Sequence, residues 1–193
     1  MNRPYALGAL FCLLLVVGCG PTGDAEPEAP AEPAAPDTVE SAPHAEATLA
    51  AKSDSGTSGT TAFSVENGQV VMRINIVGAT PGEHAFHIHE VGDCSSDDGK
   101  SAGGHWNPTA QDHGKLGESE QFHYGDTGNV TIAEDGTGST EIGSSVWTLG
   151  DGGQGDLVGR AVVVHAGVDD FKTQPTGAAG GRVACGVIEI HEP

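Results

Sequence analysis

The strongly patterned apolar segments of this chain are short and alternate with a period of two. Val70–Val77 is the clearest: V-V-M-R-I-N-I-V puts Met72, Ile74 and Ile76 on one face and Arg73 and Asn75 on the other. Ala47–Lys52, Thr60–Glu66, Ala85–Glu90, Val130–Ala133, Ser139–Ile142, Leu157–His165 and Arg182–Ile190 read as further strands. That makes about eight strands and no convincing helix. A helical bundle would be rich in Ala, Leu, Glu and Lys, whereas this chain has 30 glycines, 18% charged residues and 5% aromatics. The expected fold is therefore all-β, an eight-stranded Greek-key β-barrel or sandwich. Two stretches, Val91–Gln121 and Ala166–Gly181, interrupt the rhythm. Loops of that length inside a compact domain are usually functional.

Three segments are expected along the chain. Residues 1–18 read as an export signal: Arg3 precedes an apolar run, Ala6–Val17, too short to span a bilayer as a helix. The run ends in Val16-Val17-Gly18-Cys19, which resembles the lipobox of bacterial lipoproteins and implies a lipid anchor at Cys19. The expected location is therefore the bacterial cell envelope, with a weak preference for the outer membrane, because Gly20 stands where an inner-membrane retention aspartate would. A plain secretory signal with Cys19 incidental is the alternative. Residues 19–46 form a Pro/Ala/Glu-rich linker of the kind that stays solvated and extended. Residues 47–193 form the folded domain.

Cys12 leaves with the signal and Cys19 takes lipid, so Cys94 and Cys185 remain in the domain. Two cysteines in an exported domain most simply pair as a disulfide. A zinc-thiolate role is the rival, but neither has a second cysteine at close spacing. The formal charge of −19 comes from 27 acidic and 8 basic side chains. Setting aside the seven acids before residue 47 and Arg3 leaves 20 acids and 7 bases, so the domain itself carries −13. That balance argues against a nucleic-acid partner, since phosphate binding needs clustered Lys and Arg.

The chemistry lies in the histidines. His87 and His89, two apart on a strand, share a face and could grip one metal. His165 ends the apolar strand A-V-V-V-H, where an imidazole needs a buried partner. His105, His113, His123 and Asp126 place three imidazoles and one carboxylate within 22 positions, a set that suits tetrahedral zinc. Only His44, His84 and His191 fall outside these groups.

The motifs F-H-I-H-E-V-G-D, S-A-G-G-H-W-N-P, H-Y-G-D-T-G-N-V, L-V-G-R-A-V-V-V-H and G-G-R-V-A-C-G-V-I follow one another in the order of copper,zinc superoxide dismutases. The chain resembles that family from about Ala45 to His191. The resemblance implies one copper and one zinc per subunit and dismutation of superoxide to oxygen and hydrogen peroxide. It implies copper on His87, His89, His105 and His165, and zinc on His105, His113, His123 and Asp126, with His105 shared. It further implies that Asp169 links a copper ligand to a zinc ligand, that Arg182 attracts and orients the anion, and that Thr176 narrows the channel. Cys94 and Cys185 match the family's disulfide. Copper supplies the one-electron cycling, which zinc cannot, and His105 would take and return a proton.

The loop Ala166–Gly181 looks shorter than in the eukaryotic enzymes, with Lys172 its only base. Steering of the anion is therefore expected from Arg182 and Lys172, with Lys100 and Lys115 as further contributors. Trp106 is expected to pack, and Trp147 to lie in the barrel or at a subunit contact. Monomer and homodimer are both compatible with the sequence. Two other functions remain to be weighed: an envelope copper-binding or delivery protein on the same barrel, and a tethered β-sandwich interaction module. The first usually favours soft sulfur ligands, and the second has no use for seven intact ligands and Arg182.

Overall fold

The computed structural model describes residues 44–191. The signal-like segment, Cys19 and the linker up to residue 43 lie outside that range. The first strand, β1 (His44–Ala51), begins three residues before the expected domain start at Ala47, so the last residues assigned to the linker are strand. It is followed by β2 (Ser58–Glu66), β3 (Gln69–Val77), β4 (Gly82–His89), β5 (Gly128–Ile132), β6 (Gly138–Ser144), β7 (Ala161–His165), β8 (Arg182–Val187) and the short β9 (Glu189–His191). Among the described residues the one helical element is a single 3-10 turn, Lys100–Ala102.

All strand pairs are antiparallel, and the neighbour order is β5-β4-β7-β8-β1-β2-β3-β6. The two ends of this path, β5 and β6, are consecutive in sequence and joined by a tight turn in which Ala133 N–H bonds to Thr137 O at 2.8 Å. The sheet thus curls into a nearly closed barrel of eight principal strands, as the alternation predicts. Two expected strands end differently. Leu157–Arg160 is a turn, with Gly159 at φ +78°, so β7 starts only at Ala161. The last expected strand divides at Ile188, whose backbone bonds to Gly159 and Arg160 before the chain rejoins β1 as β9.

The barrel interior holds Leu49, Phe63, Met72, Ile74, Ile76, Phe86, Ile88, Val162 and Val164. Fully burying each such large side chain contributes about 1.5–3 kcal/mol. Met72, Ile74 and Ile76 face inward while Arg73 and Asn75 do not, as their alternation requires. Trp147 belongs to this core, and its Nε1–H donates to Tyr124 O at 2.8 Å, which decides between the two expected placements.

β4 and β7 are buried on both faces. Phe86, Ile88, Val162 and Val164 point into the barrel, so alternation sends His87, His89 and His165 to the outer face. His87 lies opposite Val163 and His89 opposite Ala161, and a register irregularity between Val164 and His165 re-aims the last histidine. The two long loops cover this face.

Candidate metal centre

The segment around His105 is stitched to the edge of β4. Glu90 N–H bonds to Gly104 O at 3.0 Å, Trp106 N–H to Ile88 O at 2.9 Å and Ile88 N–H to Gly125 O at 3.0 Å. A Cβ at position 125 would sit 2.1 Å from Ile88 O, so only glycine lets the loop approach this closely. Trp106 packs as expected: it is buried, meets Tyr124 edge-on and lies 4.0 Å beneath the Arg160 guanidinium.

Two sets of ligand atoms converge under these loops: His87, His89, His105 and His165, and His105, His113, His123 and Asp126. All seven residues are buried. In the second set Asp126 Oδ1 lies 2.9 Å from Nδ1 of both His105 and His113 and 3.1 Å from Nδ1 of His123. Only the His105 contact has hydrogen-bond alignment; the Nδ1 atoms of His113 and His123 have no partner. The buried atoms His87 Nδ1 and His105 Nε2 are also unpartnered. A buried polar atom without a partner costs about 1–3 kcal/mol. Four such atoms aimed at two points are what a pair of cations would satisfy, so the residues fit a two-metal centre.

The opposite ring nitrogens are held from outside. His87 Nε2–H donates to Asp169 Oδ2 at 2.8 Å and His113 Nε2–H to Asp169 Oδ1 at 2.9 Å. His89 Nδ1–H donates to Gly103 O at 3.0 Å, His123 Nε2–H to Gln111 O at 3.1 Å and His165 Nδ1–H to Gly180 O at 3.5 Å. Each bond fixes the tautomer and leaves the inward nitrogen with a lone pair. His105 is the exception: both its nitrogens face the two ligand sets.

Burial favours the neutral imidazole, the form that binds metal. It lowers His87 and His165, takes His89 to about 2 with help from the charges of His105 and Arg182, and takes His105 to about 4 against the pull of Asp126. Burial also opposes charge on His113, but the Asp126 and Asp169 carboxylates outweigh it and raise this ring to about 9. Burial alone would raise both acids; the hydrogen bonds they accept from the histidines instead hold them well below the usual carboxylate range.

A cavity of about 390 Å³ opens over His89 and His165 and is lined also by Thr176, Lys100, Asp98 and Arg182. The Arg182 guanidinium is clamped by two carbonyls, NH1 donating to Gly99 O at 2.7 Å and NH2 to Gly103 O at 2.6 Å. Lys100 pairs with Asp98 at 2.8 Å, so part of its charge is cancelled. Lys115 is not in this cavity: it pairs with Glu118 at 2.7 Å and lies over Phe171, which removes it from the expected steering set. Cys94 and Cys185 form a disulfide that ties the loop carrying Gly99 and Gly103 to β8.

Three positioning contacts were not legible in the sequence. His84 Nδ1–H donates to His165 O at 2.8 Å, bracing the strand end that carries a candidate ligand. A histidine sharing the inward register of Phe86 and Ile88 was the available signal. Ser53 Oγ–H donates to Arg182 O at 2.9 Å from a turn in which Ser53 and Asp54 both have positive φ. Gln174 bonds both backbone groups of His113, accepting from its N–H at 2.8 Å and donating to its carbonyl at 3.0 Å.

The model of the copper/zinc superoxide dismutase family matches residues 57–188. A "Superoxide dismutase [Cu-Zn]" of Caulobacter vibrioides is 46% identical over 125 residues, 62% of this chain and 71% of the relative. Among solved structures, the crystal structure of the clock protein EA4 superposes with a TM-score of 0.67 at 37% identity, covering 76% of this chain and 93% of that one. The chain belongs to the copper/zinc superoxide dismutase family: it is an oxidoreductase that dismutes superoxide, with copper and zinc as its cofactors.

Proposed function

We propose that the two ligand sets divide the cofactors between them, with copper on His87, His89, His105 and His165 and zinc on His105, His113, His123 and Asp126. The observation that carries this reading is the double exposure of His105: its Nδ1 faces Asp126 and its unpartnered Nε2 faces the other histidines. An all-imidazole set suits copper, and three imidazoles with a carboxylate suit tetrahedral zinc. When bound, copper supplies the one-electron exchange with superoxide. The channel residues do the rest. Arg182, held at its two carbonyls, keeps unused N–H donors for an anion arriving over His89 and His165. One fixed cation in a narrow channel dominates there, because charges elsewhere on this acidic surface are screened beyond roughly 8 Å. Thr176 opposite narrows the passage. His105 Nε2 is the ring atom placed to hold a proton and release it to reduced product, because no outer acceptor occupies it. Asp169 keeps the rings of His87 and His113 in register with each other.

Purified protein loaded with copper and zinc should dismute superoxide, and His105→Ala should abolish this while lowering the number of metal ions retained. A metal-replete protein without activity would favour the copper-binding alternative. We also propose that the chain is exported to the bacterial cell envelope and anchored by lipid at Cys19, which the lipobox-like V-V-G-C supports. Mass spectrometry of the native N-terminus tests this; an unmodified start at another residue would refute it.

A further inference from the structure

A second group of metal-type ligands stands on the outer face of β1 and β9. In their antiparallel register His44 lies directly opposite His191, and Glu46 directly opposite Glu189. The two imidazoles are nearly parallel, at 18°, with ring centres 5.5 Å apart. Glu46 Oε2 lies 4.0 Å from His191 Nε2. Glu46, Glu189 and His191 border one shallow concavity of about 310 Å³.

The placement of Glu46 opposite Glu189 is unfavourable by itself. Like charges directly opposite on adjacent strands destabilise a sheet, and among the described residues no lysine or arginine forms an ion pair with Glu46 or Glu189. His191 is the single ion-pair partner there, at the limit of contact. A cation seated between the strands would offset the repulsion of the two carboxylates and take the facing imidazoles as donors. Imidazole combined with carboxylate selects a divalent transition ion such as copper, zinc, nickel or cobalt over magnesium or calcium. Glu46, Glu189 and His191 are exposed and His44 is half-buried, so side-chain rotation is what must bring their donor atoms together on an ion.

We propose that His44, His191 and Glu46, with Glu189 beside them, form a surface site for a divalent transition-metal ion. It shares no residue with the buried centre. Because β9 is held to the barrel by its pairing with β1, an ion here also pins the C-terminal end of the domain. The site is open to solvent and its donors are not held in place by outer contacts, so it binds more weakly than the buried sets.

Nickel(II) serves as the probe on full-length protein whose buried centre is already filled with copper and zinc. Equilibrium dialysis should find one further ion per chain that both His44→Ala and His191→Ala lose, while dismutase activity stays unchanged. Nickel should also raise the thermal midpoint of the unsubstituted protein and leave that of the two variants where it was. No further ion in the unsubstituted protein, or its retention in both variants, overturns the proposal. A measurement needing no variant is the proton NMR spectrum. Selective paramagnetic broadening of the His44 and His191 ring signals supports the site, and sharp signals at saturating nickel overturn it.

Discussion

The side-chain amide of Gln174 grips the backbone of His113 at both ends, accepting its N–H at 2.8 Å and donating to its carbonyl at 3.0 Å. Gln174 belongs to the loop that lines the channel, and His113 belongs to the set proposed for zinc. The contact locks one loop to the other two residues before Thr176. Gly177 tightens the same junction, since a Cβ there would lie 1.7 Å from Asp169 Oδ1.

Gln174→Leu keeps the bulk and removes both bonds. Zinc should then be lost to a chelator faster, with affinity down by about tenfold, the low end for outer contacts of a metal ligand. Copper retention should be nearly unchanged, because Gln174 touches no residue of that set. Chelator competition followed separately for the two metals checks this; equal loss of both would point to general loosening.

Asp169→Asn should couple the two sets in failure. The carboxylate accepts from His87 and His113 with separate oxygens, whereas an amide presents one oxygen and an N–H that faces one ring N–H as a mismatched donor. Affinity should fall by about 10–100-fold for at least one metal. The absorption of cobalt substituted at the zinc position reports the change even where activity is retained.

Arg182→Ile should lower kcat/KM by roughly tenfold or more and flatten its dependence on ionic strength, because the channel loses its clamped cation. Lys100 cannot replace it, being paired with Asp98. Stopped-flow decay of superoxide across a salt series checks both effects. An unchanged salt slope would remove Arg182 from the mechanism.

Metal-free protein should be most stable near neutral pH. His87, His89, His105 and His165 have folded pKa values below the unfolded value of about 6.5, so their contribution is full above that pH and is lost as pH falls toward the folded values. The loss sets in as pH drops below about 6.5, and the share of His105 is fully lost by about pH 4. His113 works in the other sense: raised to about 9, its contribution is present below about 6.5 and lost as pH climbs through 9. Thermal midpoints of chelated protein between these limits should trace a maximum near pH 6.5–7. A flat profile would show that these rings are not held as described.

The barrel was readable in advance because alternation is a local property: Met72, Ile74 and Ile76 announce a face wherever the strand ends up. The ends of strands were less readable. Leu157–Arg160 has strand-like composition, but it turns at Gly159, and His44–Glu46 joins β1 only because β2 and β9 are there to pair with it. The candidate ligands were legible because imidazoles and a carboxylate in a fixed order are chemically distinctive. Lys115 was misplaced as a steering charge because a lysine's partner, here Glu118, depends on how its loop folds.

Residue type and spacing alone thus determined which seven side chains could hold metals and which faces of the strands were apolar, and marked Cys94 and Cys185 as candidates to pair. Tertiary structure decided how these parts act together. It turned both nitrogens of His105 toward different sets, brought Asp169 between His87 and His113 across more than 50 positions, and set Gln174 and Ser53 to hold backbone that no motif marks. The physical reason is that a hydrogen bond to a backbone carbonyl or N–H can be made by many side chains, so the sequence carries little trace of it. A metal-ligand set admits few residue types and therefore shows.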